Sequence, residues 1–407
     1  MSSPRSAFVA VLFASGAAAA DGTSLSLFDS GPYPRLGQAR NEAPIYESIT
    51  LSAQPTSTPD WVQDLRVVAR GWGRLVFGDP LDGNRGTGDL DFAFMEGRFL
   101  QRRLSWRAGR QLVSSGVLRA TQLDGLTTRA IISGGIGAEA WGGAPVLPRF
   151  ETGRGALAGG RVFWRKSFDA EIGASFVYAV RKGELARKDL GLDGLYTPAR
   201  NLTLSAVAQW SLAESRLAEA RFAATWQPVP RLQIAADAQR TAPDLFLDRN
   251  SIFAVFSEER RDEAGAELVY QLSTRVSVSG DWHFLRLEGG DGQRAGARAT
   301  VTFPRATYGA ELRLLDQPDN GYKLARLFAI RRLPRQITIT LDLDGYWLDH
   351  AINGDPRSLL GTATIGWKFA PSWDAMLAGS LGMTPYFERR TEVIARLVYH
   401  FPAGGSL

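Results

Sequence analysis

The stretch Thr391–Phe401, with the sequence TEVIARLVYHF, decides the fold because its side chains alternate between apolar and polar. A period of two places successive side chains on opposite faces of a β-strand. One face suits hydrocarbon and the other suits water, which fits a strand of a membrane barrel and also a strand of a soluble sandwich. The apolar face holds Val393, Ala395, Leu397, Tyr399 and Phe401, and the polar face holds Glu392, Arg396 and His400.

The same alternation recurs from Trp61 to the end of the chain. In one segment Val276, Val278, Trp282 and Phe284 oppose Ser277, Ser279, Asp281 and His283. No apolar stripe of helical period and comparable length competes with these segments. The sequence therefore predicts an all-β protein.

Turn residues predict how the strands are connected. Short breaks that contain proline alternate with longer polar breaks, as in membrane barrels that have tight turns at one rim and longer loops at the other. We therefore predict a transmembrane up-and-down antiparallel β-barrel of about 18 strands, with 16 possible. The short breaks are 197–200, 227–230, 304–306, 333–335 and 370–372, and the long ones are 287–294, 316–321, 348–357 and 381–390.

The predicted count depends on two segments being loops. Val113–Gly153 is interpreted as one long glycine-rich loop, either external or folded into the lumen, where it would narrow the pore. Thr241–Glu259 is also interpreted as a loop. A strand hairpin in either segment would raise the count by two.

The N-terminus has the features of a secretory signal peptide. Arg5 precedes the apolar run Ala7–Ala14, and Ala18 and Ala20 supply the small residues of a cleavage site. We predict a signal peptide over 1–20 and a periplasmic or lumenal segment, rich in proline and serine, over 21–60. The barrel would then span 61–401, with a C-terminal tail over 402–407.

Composition excludes several kinds of site. The chain of 407 residues has no cysteine and three histidines, which argues against a disulfide scaffold or a thiolate metal site. Ser279, Asp281 and His283 share one strand face, but residues two apart on a strand lie about 6.6–7 Å from each other, too far for a nucleophilic triad. We predict no catalytic residues, no metal, no cofactor and no nucleic-acid partner, and therefore a protein that is not an enzyme.

Charged residues at inward positions are the candidate pore lining. Early strands carry arginines and later strands mix acids with bases. A basic row facing an acidic wall would create a transverse field that favours anions on one side of the lumen. The alternative is that a wide lumen is polar in any case and that its charges pair across strands. The predicted lining residues are Arg66, Arg70, Arg74, Arg107, Arg161, Arg181, Asp281, Asp342 and Asp344.

Aromatic residues lie near the ends of predicted strands, on the apolar face. Amphipathic rings at this position form the interfacial girdles of membrane barrels. The predicted girdle residues are Trp210, Trp226, Phe284, Phe303, Trp347, Trp367, Phe369, Tyr399 and Phe401.

Two short motifs carry a resemblance to known barrels. Gly109-Arg110-Gln111, followed by Leu123-Asp124-Gly125-Leu126, resembles the GRQ…DG pattern of proteobacterial porin-like barrels, including the alginate-export type. Ser251–Phe256 is similar to a segment of deltaproteobacterial barrels, some of which are thought to serve exopolysaccharide secretion. The resemblance implies an outer-membrane barrel that handles anionic polysaccharide.

These observations together predict a channel in the cell outer membrane that passes polar or anionic solutes. Saccharide or exopolysaccharide export is the preferred form, with outer-membrane lipid, saccharide solutes and periplasmic export components as the expected partners. The alternatives are a general diffusion porin, and a barrel plugged by 21–60 that has a structural or enzymatic role.

Overall fold

The structure is a computed structural model that describes residues 20–35, 38–54, 62–78, 85–146, 155–167, 169–242, 245, 260–318 and 320–399. Side chains are described for these residues except 20–46 and 387–390. The predicted signal peptide, apart from Ala20, and the predicted tail lie outside the described residues and stay predictions. So does most of the predicted loop Thr241–Glu259, which two strands flank.

The described residues form a single antiparallel sheet of 22 strands. Each strand pairs with its neighbours in the sequence, and β1 also pairs with β22, so that the sheet closes into an up-and-down barrel. A 3-10 turn, Pro334–Gln336, joins β18 to β19. The strands are β1 (Ala20–Arg35), β2 (Gln38–Ala53), β3 (Val62–Gly78), β4 (Gly86–Phe99), β5 (Leu104–Ser115), β6 (Leu118–Ser133), β7 (Ile136–Pro145), β8 (Gly155–Arg165), β9 (Ala170–Arg181), β10 (Glu184–Ala199), β11 (Leu202–Ser211), β12 (Arg216–Val229), β13 (Leu232–Thr241), β14 (Arg261–Gln271), β15 (Val276–Leu287), β16 (Gly290–Phe303), β17 (Ala306–Asp316), β18 (Tyr322–Leu333), β19 (Ile337–Ile352), β20 (Asp355–Ala370), β21 (Trp373–Thr384) and β22 (Phe387–Tyr399).

The barrel class is confirmed, and the predicted count of about 18 is wrong by four strands. One extra pair, β6 and β7, lies in the stretch 113–153 that was interpreted as a loop. The other pair, β1 and β2, lies almost wholly in the stretch 21–60, which the sequence predicts to be a periplasmic or lumenal segment and not a part of the wall. The barrel strands therefore extend over Ala20–Tyr399.

Glycine hides the alternation of β6 and β7 in the sequence. Gly125 pairs with Gly143, so neither residue shows which face of its strand is apolar. Aromatic rings from neighbouring strands cover other glycines: Trp141 lies over Gly159. Stacking of this kind stabilises a strand that glycine would otherwise weaken.

Proline hides β1 and β2. Proline lacks the N–H that a central strand needs, so the prolines at 32, 34 and 44 argued against strands there. The structure accommodates the first two beside a break in the pairing of β1 with β2, where the register shifts between Ser30 and Tyr33. Such irregularities are positions at which a strand tolerates a missing N–H.

For three of the connections that were predicted to be long loops, the prediction is also wrong. The connections β15–β16, β19–β20 and β21–β22 are tight turns, because the polar residues on either side of each turn continue the strand pairing. Leu287, for example, pairs with Gly290 across such a turn. We call the rim where β1 begins and β22 ends the terminal rim, and the opposite rim the distal rim.

The outer face carries an apolar belt with aromatic rings at its edges. At the terminal rim, the ring centroids of Trp373 and Tyr399 are 4.6 Å apart and those of Trp367 and Phe369 are 5.3 Å apart. At the distal rim, Trp210 and Trp347 are exposed on the outer face. The barrel thus has the exterior that a membrane requires. Among the described residues, no helix is long and apolar enough to cross a membrane.

Candidate pore lining and inward hairpin

Exposure separates the two faces of the wall. On β3, Leu75 and Phe77 are each 59% exposed on the outer face, whereas Val76 between them is only 5% exposed. The outer face is apolar because it meets hydrocarbon, and most charged side chains of the wall lie on the opposite face.

The arginines predicted on β3 share the inner face with Val76. Arg66 donates from Nε to Oγ of Ser52 at 3.0 Å, and Nε of Arg70 lies 3.1 Å from a carboxylate oxygen of Asp91. Arg74 lies on the same face, four residues after Arg70. The predicted row of arginines therefore exists as a row, and at least Arg70 is paired with an acid on the neighbouring strand.

The next predicted arginines are also paired. Arg107 donates twice to Glu96, at 2.7 and 3.0 Å, on the inner face of β4. Arg161 is 7% exposed and forms ion pairs with both Glu171 and Asp193. Arg181 is buried as well.

The predicted acids lie far along the sheet from these arginines. Asp342 and Asp344 on β19 flank Arg326 of β18, with Arg326 Nε 2.8 Å from Asp342 and 3.5 Å from Asp344. Asp281 lies on β15 beside His283. These contacts fit the alternative in which lumen charges pair across adjacent strands.

The Ser–Asp–His series on β15 does not assemble into a triad. His283 Nε2 lies 3.0 Å from Oδ1 of Asp237, two strands away, and its Nδ1 lies 3.7 Å from Asp281. The imidazole reaches Asp237 across Gly265, which leaves room for the ring. Over the part of the chain that the structure describes, no group of three or more His, Asp or Glu could hold a metal ion.

One element inside the barrel differs from its predicted form. Pairing of β4 with β5 stops at Arg110, and pairing of β6 with β7 stops at Leu123, so the hairpin tip 111–122 leaves the wall on both sides. We call these residues the inward hairpin. Val117 is 3% exposed and Leu118 is 1% exposed at its turn. The predicted long loop is thus mostly strand, and its first turn folds into the barrel.

The inward hairpin packs on the inner wall of β7–β9. Its apolar residues join Trp141, Leu157 and Val177, which occupy inward positions that would otherwise be polar. Three apolar side chains at lumen-facing positions are the feature of the sequence from which a packed element on this part of the wall could have been predicted. Removing such residues from water is the main contribution to holding the hairpin in place.

Polar contacts fix the turn on the wall. Val117 N–H donates to Oγ of Ser175 at 3.2 Å, and Nη2 of Arg187 donates to the Val117 carbonyl at 3.3 Å. Further along, Arg119 Nη2 lies 3.1 Å from Glu219 on β12, whose side chain is 4% exposed. The hairpin is therefore tied to β9, β10 and β12.

The two halves of the GRQ…DG motif face each other. Gly109 pairs with Gly125, and Arg110 forms a bidentate bridge to Asp124 at 2.8 and 2.9 Å. Gln111 is fully buried and donates to the Gly125 carbonyl at 3.1 Å. Here the motif is a cross-strand clasp at the base of the inward hairpin.

The fold has counterparts among solved structures. The chain is similar to the P pilus usher (PapC) translocation pore, with 9% identity and a TM-score of 0.57, over 94% of this chain and 100% of that chain. It is also similar to Pseudomonas aeruginosa OccK5 (OpdH), with 11% identity and a TM-score of 0.48, over 95% and 98%. No protein-family model matches the chain, and no curated protein matches its sequence.

The similarity to the usher pore supports the fold that the strand pairing establishes, a transmembrane β-barrel of the outer-membrane type. The apolar exterior and its aromatic edges fit a location in the outer membrane.

Proposed function

We propose that this barrel is an outer-membrane channel that passes polar solutes by diffusion. The observation that carries the proposal is the two-sided wall, apolar outside and lined with paired charges inside. A barrel that held only a packed core would not need charged side chains on its inner face. A wall of 22 strands encloses a wide lumen, and the inward hairpin narrows it from one side.

The lining supports small polar or anionic solutes over apolar ones. Arg66, Arg70 and Arg74 form a row on one strand, and Arg70 is about half exposed even with Asp91 beside it. A guanidinium that is partly exposed in a polar lumen can still attract a passing carboxylate or sulfate. The acids that flank Arg326 lie on another sector of the wall.

Saccharide or exopolysaccharide export is the finer proposal. The support is the GRQ…DG resemblance and the arginine row, since guanidiniums in the lumen can attract the carboxylates of an acidic polymer. The bridge between Arg110 and Asp124 indicates that the motif stabilises the base of the hairpin. In this chain the motif therefore supports the proposal of a saccharide solute only indirectly. Periplasmic export components are partners under this proposal.

Planar-bilayer recording of the refolded protein tests the channel proposal. Discrete, ohmic single-channel current steps are expected. An added acidic oligosaccharide such as oligo-alginate should reduce the ion current through the channel. A stably inserted barrel that conducts no ions would overturn the channel function. Conduction that neutral and acidic oligosaccharides leave unchanged would overturn the saccharide form and leave a general porin.

A further inference from the structure

The wall of the barrel is open beside the distal half of β4. From Ala93 to Phe99 this strand pairs with β5, whereas from Gly86 to Phe92 it pairs only with β3. The two strands that would continue the wall here form the inward hairpin, which has turned into the lumen. Among the described residues no other strand takes their place, so two strand spacings of about 4.8 Å each are missing from the wall at this level.

Side chains bind the main chain at this free edge of β4. Nη1 of Arg110 donates to the Leu90 carbonyl oxygen at 3.1 Å, and the Leu90 N–H donates to Oδ1 of Asp89 at 2.7 Å. Nε2 of Gln122, in the inward hairpin, donates to the Asp91 carbonyl oxygen. Main-chain groups that face hydrocarbon must have partners within the protein. Because these partners are side chains, the edge is closed chemically although no strand covers it.

The opening lies at the height of the apolar belt. Leu75, which is exposed on the outer face of β3, is the pairing partner of Gly86 at the distal end of the free edge. Leu90 pairs with Gly71, which shares the outer face of β3 with Leu75, and Leu90 is also exposed. The free edge therefore has hydrocarbon outside it, and the opening joins the lumen to the membrane.

Apolar side chains line the lumen beside the opening. Arg107 lies over the Phe94 ring at 4.5 Å from its centroid, which places this ring on the inner face, and the Phe92 ring is 5.9 Å from it. Leu112 of the inward hairpin is 63% exposed. Its neighbour Val113 packs on the wall of β7–β9, so Leu112 points the other way, toward β4. A lumen that passed only polar solutes would not need this apolar surface, whereas an apolar chain would be removed from water by it.

A polar cavity of about 550 Å³ continues from this apolar surface toward the terminal rim. Leu112 lines it on the hairpin, and Glu96, Arg107, Arg129 and Glu139 line it on the wall. Arg107 is bonded to Glu96, and Arg129 lies 3.0 Å from Glu139. The cavity has the size of a small-molecule site. Since these charges are paired within the wall, the cavity can donate hydrogen bonds to an uncharged polar group and accept them from it.

We propose that the opening is a lateral path between the lumen and the membrane for molecules that have a single apolar chain and an uncharged polar head. The chain lies against Phe92, Phe94 and Leu112, the head lies in the polar cavity, and the chain leaves the lumen past Leu90. This path is separate from the diffusion of polar solutes along the barrel axis and does not rest on it. A strand of a partner protein fits the edge less well, because the main-chain groups of Leu90 and Asp91 already have side-chain partners.

The test uses a nitroxide label on Ser114→Cys in the full chain, which has no cysteine of its own, refolded into lipid vesicles. Ser114 lines the polar cavity two residues after Leu112. Hexadecyl maltoside is mixed into the vesicle lipid, so that it reaches the label from the membrane. Electron paramagnetic resonance with power saturation then measures collisions of the label with a water-soluble nickel complex. We expect hexadecyl maltoside to reduce these collisions, because it displaces water from the cavity.

Two controls separate the path from other effects of the amphiphile. Maltose in the buffer supplies the head without the chain and should leave the collisions unchanged. A nitroxide on Ser279→Cys, on the inner face of β15, should show no change with hexadecyl maltoside. Collisions at Ser114→Cys that hexadecyl maltoside leaves unchanged, or an equal reduction by maltose or at Ser279→Cys, would overturn the lateral path. A reduction that appears only when a water-soluble octyl maltoside is added to the buffer would place the entry at a rim and would also overturn it.

A substitution tests the apolar surface in the labelled chain. Phe92→Ser should raise the amount of hexadecyl maltoside needed for half of the reduction about tenfold, because the apolar chain loses its contact with the ring. Leu312→Ser is the matched control, since Leu312 lies on the outer face of β17 and is as exposed as Leu112. It should leave the amount unchanged. Equal effects of the two substitutions would contradict a chain that lies against Phe92.

Discussion

Val117 lies directly on Gly191, so that the turn of the inward hairpin fits against β10 only because residue 191 has no side chain. A Cβ added to Gly191 would overlap the Val117 side chain. The turn itself uses Gly116 at a φ of +56°, a left-handed conformation that glycine adopts without strain. Two glycines, one in the turn and one in the wall, thus set the position of the hairpin.

Gly191→Val should therefore push the hairpin toward the barrel axis. Valine suits a strand, so β10 should persist, while overpacking against Val117 should cost about 1–3 kcal/mol of unfolding free energy. Single-channel conductance should fall and closing events should become more frequent. Gly366→Val is the matched control, because the nearest neighbour of a Cβ there would be the Thr338 carbonyl at 3.9 Å. Single-channel current traces of Gly191→Val that match those of the wild type would show that the hairpin does not narrow the ion-conducting lumen.

The barrel class could be predicted from the sequence, since segments such as β15 and β22 each carry the alternation in their own residues. The inward hairpin could not, because the contacts that fix it join residues far apart in the chain, such as Val117 to Ser175 and Arg119 to Glu219. The inner-face positions of Arg66 and Arg70 followed from alternation alone. Their ion-pair partners depend on the register between neighbouring strands. That register could not be predicted, because the alternation is not visible in the glycine-rich and proline-rich strands.

Arg161→Met should destabilise the barrel strongly. Arg161 is nearly buried between Glu171 and Asp193. Its removal leaves Asp193 without that guanidinium, whereas Glu171 keeps its ion pair with Arg165. Loss of one partner from a buried ion pair typically costs about 3–5 kcal/mol. Urea unfolding followed by tryptophan fluorescence measures this change.

Arg70→Met is the control for that measurement. The Arg70–Asp91 pair is about half exposed, and pairs of this kind contribute about 0–1 kcal/mol. Equal losses of unfolding free energy in the two variants would contradict the burial difference between the two sites.

Replacing Arg66, Arg70 and Arg74 together with serine should shift ion selectivity toward cations. The change removes three positive charges from one strand of the lining and leaves Asp91 without its Arg70 partner. Reversal potentials in a salt gradient measure the shift. Arg331→Ser, an outward-facing substitution near the terminal rim, should leave the reversal potential unchanged. An unchanged reversal potential in the triple variant would show that the arginine row does not determine ion selectivity.

Closure of the barrel by β1 can be tested with a disulfide, because the chain has no cysteine of its own. Ser26 and Arg396 are partners across β1 and β22, so Ser26→Cys with Arg396→Cys should cross-link under mild oxidation. Ser26→Cys with Val393→Cys is the control, since Val393 pairs with Asp29, three residues out of register. The first pair should shift the electrophoretic mobility of the chain, and added reductant should abolish that shift. The second pair should give no shift. Cross-linking of the control pair alone would place β1 in another register. Failure of both pairs to cross-link in a folded barrel would show that β1 does not pair with β22.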